Sequence, residues 1–300
     1  MTLEQLMNTY TSGNICCISG AGGLPCLEIK TALAEARIYL NGASVTHYQP
    51  AGAKPVLFMS DKSIFEAGKP IRGGVPVCFP WFGTKADNPA APMHGVARLQ
   101  QWTVSSISEL PSGDIGVVLE LLPSDLSREF WPHSFHLEYR VRVGSELSMT
   151  LVTRNTGTEP FTITEALHTY FAVSDVRHVR LTGMENTAFL DKTRGMRRFR
   201  GDDEPLTFAI QTDRVYLDTK ATATIHDPAQ SRNIIVSKSG SKSTVVWNPW
   251  ATVAAALPDF GNDEWSQMLC VETANVWDNA VSVAPNSDHL MQAVIRVETL

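Results

Sequence analysis

The chain has 300 residues, 43% of them hydrophobic and only 19% charged, with a formal net charge of −6 from 25 basic and 31 acidic side chains. That apolar content is ample for a buried core. The acidic balance gives no global reason to bind nucleic acid or anionic lipid, so any anion must be met by a local group of Arg or Lys.

Residues 1–25 begin with a short helical stretch and then become Gly-rich, reading as an N-terminal appendage. The opening MTLEQLMNTYTSG lacks the basic and apolar regions of a signal peptide. From Leu27 onward the texture is one of short β-type runs between turn signals: 35–39, 44–48, 103–107, 115–121, 135–143 and 146–153. HLEYRVRV puts Leu137, Tyr139, Val141 and Val143 on one face and Glu138, Arg140 and Arg142 on the other, the period of a half-buried strand. Gly144-Ser145 then gives a hairpin turn into ELSMTLVTRN. Further runs follow at 161–165, 179–182, 214–217, 223–226, 233–238, 243–247, 267–272 and 289–297. More than a dozen short strands without βαβ alternation predict an all-β fold, a sandwich or barrel. The simplest partition is an appendage over 1–26 and one domain over 27–300. No stretch reaches the roughly 18 uninterrupted apolar residues of a membrane span.

Five cysteines, Cys16, Cys17, Cys26, Cys78 and Cys270, stand at irregular spacing. They suit reduced thiols in the cytoplasm better than a disulfide framework or a zinc knuckle.

Four segments break the strand pattern with residues capable of chemistry. IRGGVPVCFPWFG, residues 71–83, brings Arg72 into a Gly-, Pro- and aromatic-rich loop. It reads either as a rigid plug at a sheet edge or as a platform for a sugar ring. MHGVARLQQW, residues 93–102, carries His94 and Arg98, and a lone His is as readily structural as catalytic. In EALHTYFAVSD, residues 165–175, His168 and Tyr170 share one strand parity while Leu167, Thr169 and Phe171 share the other. His168 is there either a satisfied imidazole or a proton-exchanging group, since imidazole titrates near neutrality. In QMLCVETAN, residues 267–275, Glu272 lies among apolar neighbours. It reads as a solvent-face charge or as a base raised by partial burial, and the parity of the run does not decide between them.

Taken together and in order, RGGVPVCFPWFG, HGVAR, ALHTYF, TDR, VWNPW and CVETAN resemble the aldose 1-epimerase (galactose mutarotase) superfamily, and within it the hexose-6-phosphate mutarotase branch. ARIYLNGASVTHYQPAG, residues 36–52, resembles that family's first hairpin. Val96 departs from the aromatic residue expected at its place, and Phe79 stands where Trp is an alternative; both stay apolar. The resemblance implies a large antiparallel β-sandwich of the galactose-mutarotase-like kind. It implies His168 as general acid and Glu272 as general base. It also implies His94 as a holder of sugar oxygens, Arg72 as a site-lining arginine, Asp213 as a partner of sugar hydroxyls and Arg98 as a phosphate contact.

Interconverting anomers requires a proton taken from the C1 hydroxyl and another given to the ring oxygen, which calls for an acid and a base facing each other across the ring. The expectation is therefore an isomerase acting on a hexose 6-phosphate as a cytoplasmic monomer, with no cofactor, metal, nucleic acid or membrane. His94 and His168 are too far apart in sequence for a local ligand pair, and no His-x-His or Cys-x-x-Cys occurs. Two alternatives are an epimerase of free aldoses, using the same acid–base pair, and a non-catalytic carbohydrate-binding protein. A glycoside hydrolase normally needs two carboxylates, and only Glu272 stands out.

Overall fold

Period-2 alternation becomes two large antiparallel sheets in the computed structural model, which describes residues 3–10 and 13–300. The larger sheet has nine strands, in the spatial order Leu206–Thr207, Arg180–Thr182, Ala223–Asp227, Arg232–Ser239, Asp288–Thr299, Leu147–Asn155, Phe135–Val143, Ile115–Leu121 and Thr103–Glu109. The turn expected at 144–145 joins Phe135–Val143 to Leu147–Asn155, with Val143 opposite Leu147. Leu137, Tyr139, Val141 and Val143 are buried, whereas Arg140 and Arg142 are exposed.

The second sheet has eight strands. Along its path lie Arg197–Arg200, Ala188–Asp191, Thr212–Tyr216, Ser243–Asn248, Met268–Asn275, Glu165–Leu167 and Val77–Cys78. Tyr170–Ala172 also pairs with Met268–Asn275. One face of this sheet packs on the nine-stranded sheet: Leu167, Val246, Leu269 and Val271 share a core cluster with Leu137, Tyr139, Val141 and Ile295. Each such aliphatic side chain taken fully out of water contributes roughly 1.5–3 kcal/mol. The fold is thus the sandwich that the strand pattern and the resemblance led us to expect.

The N-terminal segment differs from its expected description. Ile15–Ser19 and Pro25–Lys30 form a hairpin that pairs onward to Ala34–Tyr39 and Ser44–Pro50 in a four-stranded sheet. The boundary drawn between residues 26 and 27 falls inside a strand whose Cys26, Leu27 and Ile29 are buried. The alternation was hidden by the Gly-rich turn at Ala21–Gly23, where Gly22 takes a φ of 64°. The short helix expected at the start spans Leu3–Thr9. A second short helix, Asp125–Phe130, is capped by Ser124, whose hydroxyl accepts from the Ser127 N–H. Among the described residues no helix is long and apolar enough to cross a membrane.

Candidate active site

The outward face of the eight-stranded sheet carries the residues that the sequence singled out. Directly opposed residues in an antiparallel sheet share a face. Asp213 opposes Trp247, Trp247 opposes Cys270, and Cys270 opposes Tyr170. The next row runs from Val215 to Val245 to Glu272. That row ends on His168, because the ladder has Leu167 opposite Thr273 and Tyr170 opposite Cys270, leaving His168 to face Glu272. At His168 the strand turns aside from its neighbour: the His168 N–H donates to Pro76 O at 3.0 Å and the Tyr170 N–H to Gly74 O at 2.9 Å. The shared parity of His168 and Tyr170 is realised, with their rings stacked at 4.8 Å and 13°.

His168 Nε2 lies 3.5 Å from Glu272 Oε1. His168 is 7% exposed and Glu272 1%. Burial pushes the Glu272 carboxyl well above the usual carboxylate range, with the Asp213 carboxylate adding to it. Burial likewise pushes the His168 imidazole well below its usual value, assisted by the positive charges of Arg98 and Arg72. Both shifts favour uncharged forms, as expected when ionisable groups leave water.

Arg72 is clamped. Its Nε and Nη2 donate to Asp259 Oδ2 and Oδ1, each at 3.1 Å, and its Nη1 donates to the Tyr170 hydroxyl at 3.0 Å. This fork on a carboxylate is the strong geometry for arginine. The loop after it is held by Gly74, whose φ is 62°; a Cβ there would meet Val45 O at 2.2 Å. Arg72 is therefore a rigid wall of the site, with most of its donors already engaged.

His94 enters from the neighbouring loop with an unusual φ of 64°. Its N–H donates to Gly83 O at 2.8 Å, and the Gly83 N–H donates to its Nδ1 at 3.3 Å. Nδ1 is thus an acceptor, so the ring proton sits on Nε2. Burial and the Arg98 charge hold this imidazole well below its usual value, consistent with a neutral donor. The His94 and His168 rings meet edge to face at 5.5 Å, and Phe82 contacts both, at 4.6 Å and 6.5 Å.

Arg98 donates from Nη2 to Met93 O at 2.8 Å, while its buried Nε has no hydrogen-bond partner. Asp213 accepts at Oδ2 from Lys192 Nζ at 2.9 Å, and its Oδ1 is unpartnered. Burial raises the Asp213 carboxyl, and Lys192 opposes that rise. Of the nine buried, unpartnered side-chain polar atoms among the described residues, four lie here: Arg98 Nε, His168 Nδ1, Asp213 Oδ1 and Glu272 Oε2. Each unmet buried group is unfavourable by roughly 1–3 kcal/mol, so their concentration marks a place built to receive a polar molecule. Beside it lies a cavity of about 580 Å³ that shares Phe82, His94 and Lys192 with the site and is walled by Trp81 and Trp277.

All six residues expected at the site are on or beside this face. Sequence reading did not assign Tyr170, Trp247, Cys270, Lys192 or Asp259. Lys85, which lies near the site loops in sequence, pairs with Asp87. The trio His168, Cys270 and Glu272 places its ligand atoms within 4.8 Å of one another, the one such trio among the described residues. The Cys270 thiol is raised well above its ordinary value by burial and by Glu272, so it stands as a protonated thiol. Arg72, Arg98 and Lys192 set positive charge around the same pair, which disfavours a dication.

A β-sandwich with a buried imidazole–carboxylate pair on one sheet face, ringed by hydrogen-bonding and aromatic side chains, is the arrangement expected of a sugar isomerase of the mutarotase-like class. Comparison with known proteins agrees. The chain belongs to the aldose 1-epimerase family, whose model matches residues 25–296. It is 38% identical over 261 residues to a Cenchrus ciliaris protein provisionally named glucose-6-phosphate 1-epimerase, covering 84% of this chain and 78% of that protein. An Escherichia coli protein with the same provisional name is 35% identical over 260 residues, covering 87% and 86%. The crystal structure of a provisionally assigned mutarotase from Salmonella typhimurium superposes with a TM-score of 0.90 at 28% identity, covering all of both chains. A galactose mutarotase-like protein from Clostridium acetobutylicum, at 15% identity and a TM-score of 0.72, covers 95% of this chain and 98% of its own and shares the fold. The protein is an isomerase of the epimerase type.

Proposed function

We propose that the protein interconverts the α and β anomers of a hexose 6-phosphate by acid–base ring opening. The observation that carries this reading is the buried pair His168–Glu272, 3.5 Å apart on one sheet face. The two oxygens to be served, O1 and the ring oxygen, are attached to the same carbon, so an acid and a base only a few ångströms apart suit them. Glu272 takes the O1 proton as the C1–O5 bond breaks and C1=O1 forms. The bond electrons go to O5, which His168 protonates. Rotation about C1–C2 presents the other carbonyl face, and reclosure runs both transfers backwards.

The pair holds one proton throughout. At rest it is imidazole and carboxylic acid; passing that proton from Glu272 to His168, 3.5 Å away, gives the imidazolium and carboxylate that act on the ring, and after opening the pair is again imidazole and carboxylic acid. Burial favours the uncharged arrangement, which the pair regains as the ring opens. His94 Nε2–H and the free Asp213 oxygen are assigned to sugar hydroxyls, and Arg72 to the wall that keeps Tyr170 and His168 in place. The unpartnered Arg98 Nε is assigned to phosphate, because Arg72 is already committed to Asp259. The provisional names of the relatives support a phosphorylated substrate. All these groups come from one chain, which suits a monomer, and five unpaired cysteines suit the cytoplasm. The reading calls on no metal or organic cofactor.

Magnetisation-exchange NMR on glucose 6-phosphate, beside a matched run on free glucose, tests it. Accelerated exchange confined to the phosphate is the expected result. Equal acceleration of both sugars assigns the protein to free aldoses instead, and no acceleration of either refutes the pair's role.

A further inference from the structure

A second cavity, of about 580 Å³, lies at the end of the sandwich where strands of both large sheets finish. Lys220, Lys238, Lys242 and His289 line it. Asn275 also lines it, and Asn275 is three residues along the strand from Glu272, roughly 10 Å at strand rise. Its side chain points to the opposite face of the sheet, so the cavity is distinct from the catalytic one.

The charge balance here is unusual for an acidic protein. None of the three lysine ammonium groups has an acidic partner among the described residues. Lys238 Nζ is partly buried and donates only to neutral acceptors, Ser243 O at 2.7 Å and Thr244 Oγ1 at 2.8 Å. Burial without a counter-ion pulls its amine down to about 7. The acidic groups nearby have partners other than these lysines. Asp278, which also lines the cavity, is paired with Arg198. Asp218 accepts from Asn279 Nδ2 at 2.7 Å. Glu165 is buried behind the His289 ring, its Oε1 2.7 Å from His289 Nε2 and 2.9 Å from the Asn275 Nδ2 that donates to it. Ser239 and Ser282 add hydroxyl groups to the lining.

We propose that this cavity is a binding site for a small phosphate-bearing anion. Two exposed ammonium groups, with the Lys238 amine taking up a proton as the anion arrives, meet the charge of a phosphate dianion, and the serine hydroxyls supply neutral donors for its oxygens. The volume leaves room for an organic substituent beyond the phosphate. This assignment does not depend on the substrate of the catalytic site.

Calorimetric titration with inorganic phosphate and with glycerol 3-phosphate, at pH 7 and constant ionic strength, tests it on three proteins: wild type, Arg98→Ala, and Lys220→Ala/Lys242→Ala. Both lysines are exposed, so the double variant retains the fold. Phosphate binding that survives Arg98→Ala and weakens at least about tenfold in the lysine variant is the expected result, with anomer exchange unchanged in the latter. Tighter binding of glycerol 3-phosphate than of phosphate assigns the cavity to an ester; equal binding assigns it to the free ion. Identical titrations of wild type and the lysine variant overturn the proposal, as does loss of all phosphate binding in Arg98→Ala.

Discussion

His168 and Glu272 occupy directly opposed positions on neighbouring antiparallel strands, although the ladder between them is interrupted. A cross-strand pair of this kind is fixed by the register of the whole sheet rather than by a loop. The geometry of the proposed proton exchange is therefore as rigid as the fold itself.

Removing either member is expected to slow anomer exchange by about 10²–10⁴-fold. His168→Ala and Glu272→Gln should each do so, and the double variant should be little worse than either single one, because the two groups act as a unit. Exchange rates from NMR measure this directly; additive losses would separate the two roles. Glu272→Gln also has a stability signature. The folded carboxyl is raised above its unfolded value, so wild type loses stability as pH climbs above about 4.5. The amide does not titrate, so denaturant midpoints should show the variant gaining on wild type from pH 4.5 to pH 7.

Arg98→Ala is expected to raise KM for glucose 6-phosphate by at least about tenfold, the loss of one charge-assisted contact. Turnover of free glucose, if detectable, should change far less. Equal effects on the two sugars would place Arg98 elsewhere in the mechanism.

Gly95→Ala addresses how His94 is positioned. Gly95 has a φ of 77°, and an added Cβ would meet Phe79 O at 2.1 Å. The backbone must move, and the His94 contact with Gly83 moves with it. We expect destabilisation by roughly 1–3 kcal/mol together with weakened substrate binding, seen as a lower melting temperature and a higher KM. Neither change would be expected if the turn tolerated a side chain.

Lys238 predicts a pH dependence of stability of opposite sign to that of Glu272. Its folded value, about 7, lies below the ordinary 10.5, so between them the unfolded chain binds more protons. Stability from this group therefore rises with pH above about 7, by up to ~1.4 kcal/mol per pH unit. Urea midpoints at pH 7, 8 and 9 should show that slope in wild type and its loss in Lys238→Met.

Much of this was legible in the chain because sheets translate sequence period into faces. The parity of ALHTYF puts His168 and Tyr170 together, and the alternation of HLEYRVRV gives a buried face and a solvent face. Glu272 was ambiguous for a physical reason: Met268–Asn275 is buried along its whole length, so no polar alternation betrays which side faces the site. Asp259 and Lys192 come from a loop and a short 3₁₀ turn, where no period exists to read. Arg72, the partner of Asp259, also lies 187 residues away in sequence. Strands of two to four residues, such as Val77–Cys78 and Ala188–Asp191, are too short to show a period. The hairpin at Ile15–Ser19 and Pro25–Lys30 was broken up by its glycines.

The complete burial of Met268–Asn275 has a consequence for how such an enzyme can be retooled. One side of the strand is packed into the sandwich core and the other into the site, so no position along it is free to vary without disturbing one or the other. A change of sugar preference has to be written instead into the edges of the bowl: the loop bearing Trp81 and Lys85, the turn bearing Lys192, and the segment around Trp277. On the proposed reading, libraries aimed at new substrates therefore belong on the rim before the strand that carries Glu272.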